Sequence, residues 1–300
     1  VRSYERHEPT AAFALVCSNA ANGVLEADGK TAVLPALEDV LVWDVKRGEQ
    51  DGAALQPLTQ RAMWHEVGHR SAVTAIARAP NANVYAVGYA DGSVRLWDAE
   101  SATARLTFHG HTRPVTTLAF DAAGMQLASG SQDTSVIVWD VVAEAGLFRY
   151  VPHACANVQL KSHHDAITGV AFAPTPGADA HYLYSVARDG LLKLWDLRLQ
   201  HCIETTVSGD EQLWSLAVCE ADDALLVITG GAAGHVRLWE ARGDALRAGL
   251  TSGNAHITTA QGTLDLPSSQ RVPQVNVHGS LLAAACGDRA VHVFRMRTAD

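Results

Sequence analysis

Three hundred residues, 48% hydrophobic and 18% charged, suffice for one large all-β domain or two smaller ones and exclude a globally disordered chain. No apolar run reaches the roughly 18 residues that a membrane-spanning helix needs, which excludes a helical membrane protein. The net charge of −9 makes the chain as a whole a poor partner for phosphate backbones, although its 23 basic residues are mostly arginine and leave room for a local basic patch.

The chain opens on Val1-Arg2-Ser3-Tyr4-Glu5, with neither an initiator methionine nor a signal-peptide apolar core, and reads as a piece of a longer intracellular polypeptide. From there one pattern recurs six times: alternating apolar residues that end in an aromatic and usually an acid. The segments are Val40–Asp44, Val94–Asp98, Val136–Asp140, Leu192–Asp196, Val236–Glu240 and Val291–Arg295. Their aromatics, Trp43, Trp97, Trp139, Trp195, Trp239 and Phe294, are 54, 42, 56, 44 and 55 residues apart. The short intervals match the roughly 40–45-residue blade of the WD repeat, and the long ones carry insertions.

The third repeat shows the internal punctuation. Gly110-His111 precedes Val115–Phe120, a turn follows at Asp121–Gly124, then Gln126–Ser131, a tight turn at Gln132-Asp133-Thr134, and the Trp139 strand. Three short strands with Gly and Asp turns predict an antiparallel meander, and a fourth, outer strand is expected in stretches such as Ala104–Phe108. Four strands make a blade, and blades bury their faces by stacking around an axis. The expected fold is all-β: a WD-repeat β-propeller spanning 1–300, with six recognisable four-stranded blades.

The repeats carry polar sets that imitate a catalytic triad. They are His69, Asp91 and Trp97; His111, Ser129, Asp133 and Trp139; and His163, Ser185, Asp189 and Trp195. From His to Trp is 28 residues in both the second and third repeats. Chemistry needs such a set once per chain, whereas a structural staple is needed in every blade, so these are read as tetrads. An indole donates to a hydroxyl, the hydroxyl to an imidazole, and the imidazole to a turn carboxylate. Ser131 is an alternative source of the hydroxyl. The second repeat has Val87 and Tyr89 where the serines would be; the fifth has Thr229 but Ala233 at its turn. The first, fifth and sixth repeats are therefore expected to rely more on apolar packing.

No catalytic, metal or cofactor site is expected. Cys17, Cys155, Cys202, Cys219 and Cys286 are scattered without C-x-x-C spacing and read as free thiols of a reducing compartment. His163-His164-Asp165 lacks further ligands nearby, and Gly230–Gly234 leads into a strand, where a phosphate loop would lead into a helix. The stretches Lys46–Trp64, Glu144–Ser162, Pro174–Asp179 and Arg242–Arg271 read as insertions, either tolerated loop growth or partner contacts.

Several stretches resemble a ribosome-biogenesis family. They are Tyr4–Pro9 with Ala12-Phe13, Ala86–Ser93, Leu127–Thr134, His163 with Asp165–Thr168, and Trp195–Leu197 with Gln200–Cys202. Most specific is Ile137–Arg149, similar to a segment of the Utp-twelve/Dip-two family, the tandem-propeller subunits of the UTP-B complex. Departures fall at Val151–Asn157 and Pro174–Asp179.

The resemblance implies a seventh blade, a second propeller and a C-terminal helical domain outside this chain. It also implies a nuclear, nucleolar, non-enzymatic scaffold of the small-subunit processome. The expected partners are other protein subunits of UTP-B and the processome, with pre-ribosomal or small nucleolar RNA met through a local patch. Neither a membrane nor a small-molecule substrate is expected. The alternative is a substrate-recognition or adaptor subunit, as in a ubiquitin ligase or chromatin complex. Candidate partner-binding residues, by position beside the turn Asp or the Gly-His pair, are Arg70, Arg113, Gln132 and Arg188.

Overall fold

The computed structural model describes residues 21–26, 29–44, 59–80, 83–141, 157–161, 163–174, 182–221, 224–241 and 257–296. These form 23 strands in six antiparallel meanders that follow chain order. Sheet 1 holds β1 (Val24–Leu25), β2 (Thr31–Ala36), β3 (Asp39–Asp44) and β4 (Thr59–Trp64). Sheet 2 holds β5 (Val73–Arg78), β6 (Val84–Tyr89), β7 (Val94–Asp98) and β8 (Thr103–Phe108). Sheet 3 holds β9 (Val115–Phe120), β10 (Gln126–Ser131), β11 (Ser135–Asp140) and β12 (Asn157–Lys161).

Sheet 4 holds β13 (Ile167–Phe172), β14 (Tyr182–Ala187), β15 (Leu191–Asp196) and β16 (His201–Val207). Sheet 5 holds β17 (Leu213–Ala221), β18 (Ala224–Gly231), β19 (His235–Ala241) and β20 (Thr258–Asp265). Sheet 6 has three strands among the described residues, β21 (Gln274–His278), β22 (Leu281–Ala285) and β23 (Val291–Arg295). The chain is a β-propeller of WD-type blades, and the Trp or Phe strand is the third of each blade.

Three outer strands lie inside stretches that the sequence presents as insertions. β4, β12 and β20 occupy the C-terminal parts of Lys46–Trp64, Glu144–Ser162 and Arg242–Arg271. Outer strands pair along one edge only and lack the alternation that marks the other three, which hides them. The rest of the first two of these insertions, residues 242–256 of the third, and most of Pro174–Asp179 lie outside the described residues, as do Cys17 and Cys155. Cys202, Cys219 and Cys286 are free thiols.

Alternation along the third strand builds the core. One set of side chains packs back on the preceding sheet and the other forward on the next. Trp97 closes on Val40 and Val42 of sheet 1, and Trp139 on Val94 and Leu96 of sheet 2. Trp195 closes on Val136 and Val138, Trp239 on Leu192 and Leu194, and Phe294 on Val236 and Leu238. Five apolar seams therefore join six sheets in series.

The first strands of sheets 2 to 6 face the axis and enclose, with Ala21 and Asn22 ahead of β1, a cavity of about 440 Å³ lined among others by Thr74, Thr116, Thr168, Ser215 and Asn276. Threonines there bridge neighbours. Thr116 Oγ1 donates to the Ile167 carbonyl at 2.6 Å, and Thr168 Oγ1 to that of Leu213 at 2.9 Å. Asn22 ties sheet 1 to sheet 2 by pairing its amide with both backbone groups of Ile76 at 2.8 Å.

Candidate functional site

Where the second and third strands of each sheet join, a tight turn holds a residue at positive φ. Gly92, Gly190 and Gly234 fill this place in sheets 2, 4 and 5, whereas Thr134 (φ 68°) and Arg289 (φ 70°) fill it in sheets 3 and 6. The carboxylate one residue earlier closes the turn, with Asp133 Oδ1 accepting from the Ser135 amide and Asp189 Oδ1 from that of Leu191.

In sheet 3, Trp139 Nε1–H donates to Ser129 Oγ at 2.8 Å, and Ser129 Oγ lies 2.8 Å from His111 Nε2. His111 Nδ1 lies 3.0 Å from Asp133 Oδ2. Sheet 4 repeats this with Trp195, Ser185, His163 and Asp189 at 2.8, 2.8 and 2.9 Å. The ionised carboxylate only accepts, so His111 Nδ1 carries the proton, and in the neutral ring Nε2 is then the acceptor to which the Ser129 hydroxyl donates. Ser131, the alternative hydroxyl, instead bonds the carbonyls of Arg113 and Pro114 and accepts from the Asp133 amide. Ser129 is 0% exposed, so no substrate carbonyl can reach it.

Electrostatics fits this arrangement. Burial lowers the His111 imidazole below its ordinary range despite Asp133 beside it, which favours the neutral ring. Burial works against ionisation of Asp133 and Asp189, yet both carboxyls lie below their usual range. For Asp133 the donors are Ser135 and Thr112 with His111 adjacent; for Asp189 they are His163, His164 and Leu191.

Sheet 2 is a variant. Trp97 Nε1–H donates to Tyr89 Oη at 3.2 Å, and the His69 ring stands edge-on to Tyr89 with centroids 4.4 Å apart. A phenol reaches further than a serine hydroxyl, and His69 presents Nε2, not Nδ1, to Asp91 at 3.1 Å. In sheet 5, Trp239 keeps an acceptor in Thr229 Oγ1 at 3.0 Å. Its turn has no carboxylate, but Arg237 Nε donates to Asp210 Oδ2 at 2.8 Å, so this sheet is more polar than apolar packing alone would make it.

Arg70, Arg113 and Gln132 are exposed at this same end of their sheets. Arg188 behaves differently: it is half-buried and its guanidinium lies 4.5 Å from the ring centre of Trp214, with Arg271 at 4.6 Å from the same ring. Trp214 and Arg271 are absent from the sequence-derived candidates. The signal that could have found Trp214 is the repeat itself, because Thr74, Thr116 and Thr168 hold the equivalent place in sheets 2, 3 and 4.

Among the described residues, none that lines the cavity has a titratable side chain. Among the described residues no cluster of three or more His, Cys, Asp or Glu is placed to hold a metal ion.

A family profile described as the WDR3 first beta-propeller domain matches residues 30–241. The chain is 33% identical over 226 residues to U3 small nucleolar RNA-associated protein 12 of Saccharomyces cerevisiae, covering 73% of this chain and 22% of that protein. It is 29% identical over 178 residues to nuclear distribution protein PAC1 of Arthroderma otae, covering 57% and 36% of the two chains. It is 29% identical over 177 residues to the ribosome biogenesis protein WDR12 homolog of Chlamydomonas reinhardtii, covering 58% and 38%. The chain thus spans well under half the length of each of these relatives. On the matched residues and the blade architecture together, the chain belongs to the WDR3 first β-propeller domain family.

Proposed function

We propose that this chain is the first propeller of a non-enzymatic assembly scaffold in small-subunit ribosome biogenesis, acting in the nucleolus within UTP-B and the processome. The observation that carries this reading is the match to U3 small nucleolar RNA-associated protein 12, supported by the relative named as a ribosome biogenesis protein. The similarity to nuclear distribution protein PAC1, at 29%, is lower than the 33% to U3 small nucleolar RNA-associated protein 12. A cavity whose described lining is neither acidic nor basic, and hydroxyls sealed within tetrads, favour binding over catalysis. In this reading the tetrads of sheets 2, 3 and 4 are staples that hold each turn to its inner strands. Partner contacts come from the exposed turn end, with Arg70, Arg113 and Gln132 among them.

The same reading places further chain outside these residues: a seventh sheet, a second propeller and a helical domain. The free face of sheet 6 supports the first of these. Val291 and Val293 stand where Val136 and Val138 stand in sheet 3, yet they are 66% and 46% exposed against 0% and 8%.

Affinity purification of the full-length protein from growing cells tests the function. The expected outcome is co-purification of small-subunit assembly proteins with pre-ribosomal RNA. Recovery of a ubiquitin ligase or a chromatin complex in their place would refute it.

A further inference from the structure

We infer that Arg188, Trp214 and Arg271 form a docking site for an acidic peptide segment of a partner protein. Three successive sheets supply the parts at one level of the rim. The Arg188 amide donates to Ala166 O, the Ala232 amide to Gln212 O, and the Gly287 amide to Arg271 O, the same bond in sheets 4, 5 and 6. Arg188 and Arg271 therefore sit at matching heights on either side of Trp214, which follows Leu213 at the irregularity between Leu213 and Ser215. In sheets 2, 3 and 4 the residue at this place is a threonine bonded to nearby backbone carbonyls; here it is an indole flanked by cations.

Stacking commits the face of a guanidinium to the ring and leaves its N–H edge for a planar acceptor. Among the described residues neither arginine has a carboxylate partner, in contrast to Arg78, Arg95, Arg105, Arg198 and Arg237. Arg188 Nε and Trp214 Nε1 are buried without hydrogen-bond partners, so the stack is kept at the expense of two hydrogen bonds. Two like charges are thus held over one ring with no carboxylate partner among the described residues, on a chain whose net charge is −9.

The geometry sets the ligand class. Both guanidinium carbons lie within 4.6 Å of one ring centre, so they are less than about 9 Å apart. On an extended peptide, side chains at i and i+2 point the same way and are separated by about 7 Å. An acid-x-acid segment therefore offers one carboxylate to each arginine in charge-assisted, bidentate fashion. A nucleic-acid strand fits less well: arginines already occupy the indole on which a base would stack, and the chain's net charge opposes a polyanion. This inference stands whichever assembly the protein serves, so peptide binding and co-purification fail separately.

The test is fluorescence anisotropy on the full-length protein with a labelled hexapeptide of alternating Glu and Ser. Its Gln-for-Glu counterpart and a uridine hexanucleotide serve as comparison probes. The acidic peptide is expected to bind at least tenfold more tightly than either. Arg188→Gln, Arg271→Gln and Trp214→Leu each weaken it at least tenfold, while Arg61→Gln, on β4, changes it less than twofold. Urea midpoints equal to the parent's establish folding, and exposed Arg271 carries the test should the Arg188 variant unfold. Unchanged binding by Arg271→Gln, equal binding of the glutamine peptide, or tighter binding of the oligonucleotide would each overturn the inference.

Discussion

Sheets 3 and 6 display nearly the same third strand, Val136-Ile137-Val138-Trp139 and Val291-His292-Val293-Phe294, in opposite circumstances. In sheet 3 the forward valines are sealed by Ile167, Leu183 and Trp195 of sheet 4. The indole on the same strand is locked through Ser129 and His111 to Asp133. In sheet 6 the backward side chain, Phe294, packs on sheet 5, but the forward valines face solvent and no indole engages a hydroxyl. A WD strand is thus stabilised by what lies on both sides of it. The pattern marks where a blade belongs, whereas the neighbours determine how much that blade is worth energetically.

The sharpest way to break this comparison is a charge placed on equivalent forward positions. Val136→Asp buries a carboxylate with no partner and is expected to cost about 4 kcal/mol or more in urea unfolding. Val291→Asp in the same 300-residue chain is expected to stay within about 0.5 kcal/mol. A smaller but still large contrast comes from the aromatics. Trp139→Ala should cost about 3–5 kcal/mol, whereas Trp139→Phe, which keeps the packing and loses the Ser129 bond, should cost about 1–2 kcal/mol.

The pH dependence should divide the two sheets as well. Burial holds His111 below its ordinary value, so as pH falls through about 6.5 the unfolded chain takes up a proton that the folded one refuses. Stability therefore declines on acidification from neutrality, at no more than about 1.4 kcal/mol per pH unit from this group. Asp133 and Asp189 act at lower pH. Their lowered folded values give stability that is present above about 4 and lost as pH falls further through those values. His111→Gln should flatten the limb between pH 7 and 5 and leave the more acidic limb in place, as read from urea midpoints. The smallest effect concerns the turn. Thr134 holds a positive φ that glycine holds in sheets 2, 4 and 5, so Thr134→Gly should raise stability by about 1 kcal/mol.

Much of this was legible in the residues. The spacing of Trp43, Trp97, Trp139, Trp195, Trp239 and Phe294 reflects a repeat that must present one face to each neighbour, and period-two alternation encodes that directly. The His-to-Trp offsets likewise reflect fixed geometry inside one meander. Less legible was anything contributed by a single partner strand or by a neighbouring sheet. β4, β12 and β20 were hidden in apparent insertions because an outer strand needs little alternation. The reversed His69 ring follows from the reach of Tyr89, and the Asp210–Arg237 pair joins residues 27 positions apart where the usual turn carboxylate is missing. Trp214 and Arg271 meet across sheets, and only the comparison of Trp214 with Thr74, Thr116 and Thr168 would have singled out the first of them.

The most direct test compares amide hydrogen exchange of β11 and β23 in the 300-residue chain and in the full-length protein. The proposed seventh sheet predicts slow exchange of β11 in both. It predicts fast exchange of β23 in the short chain and strong protection in the long one. Equal protection of β23 and β11 in the 300-residue chain, or an unprotected β23 in the full-length protein, would contradict it.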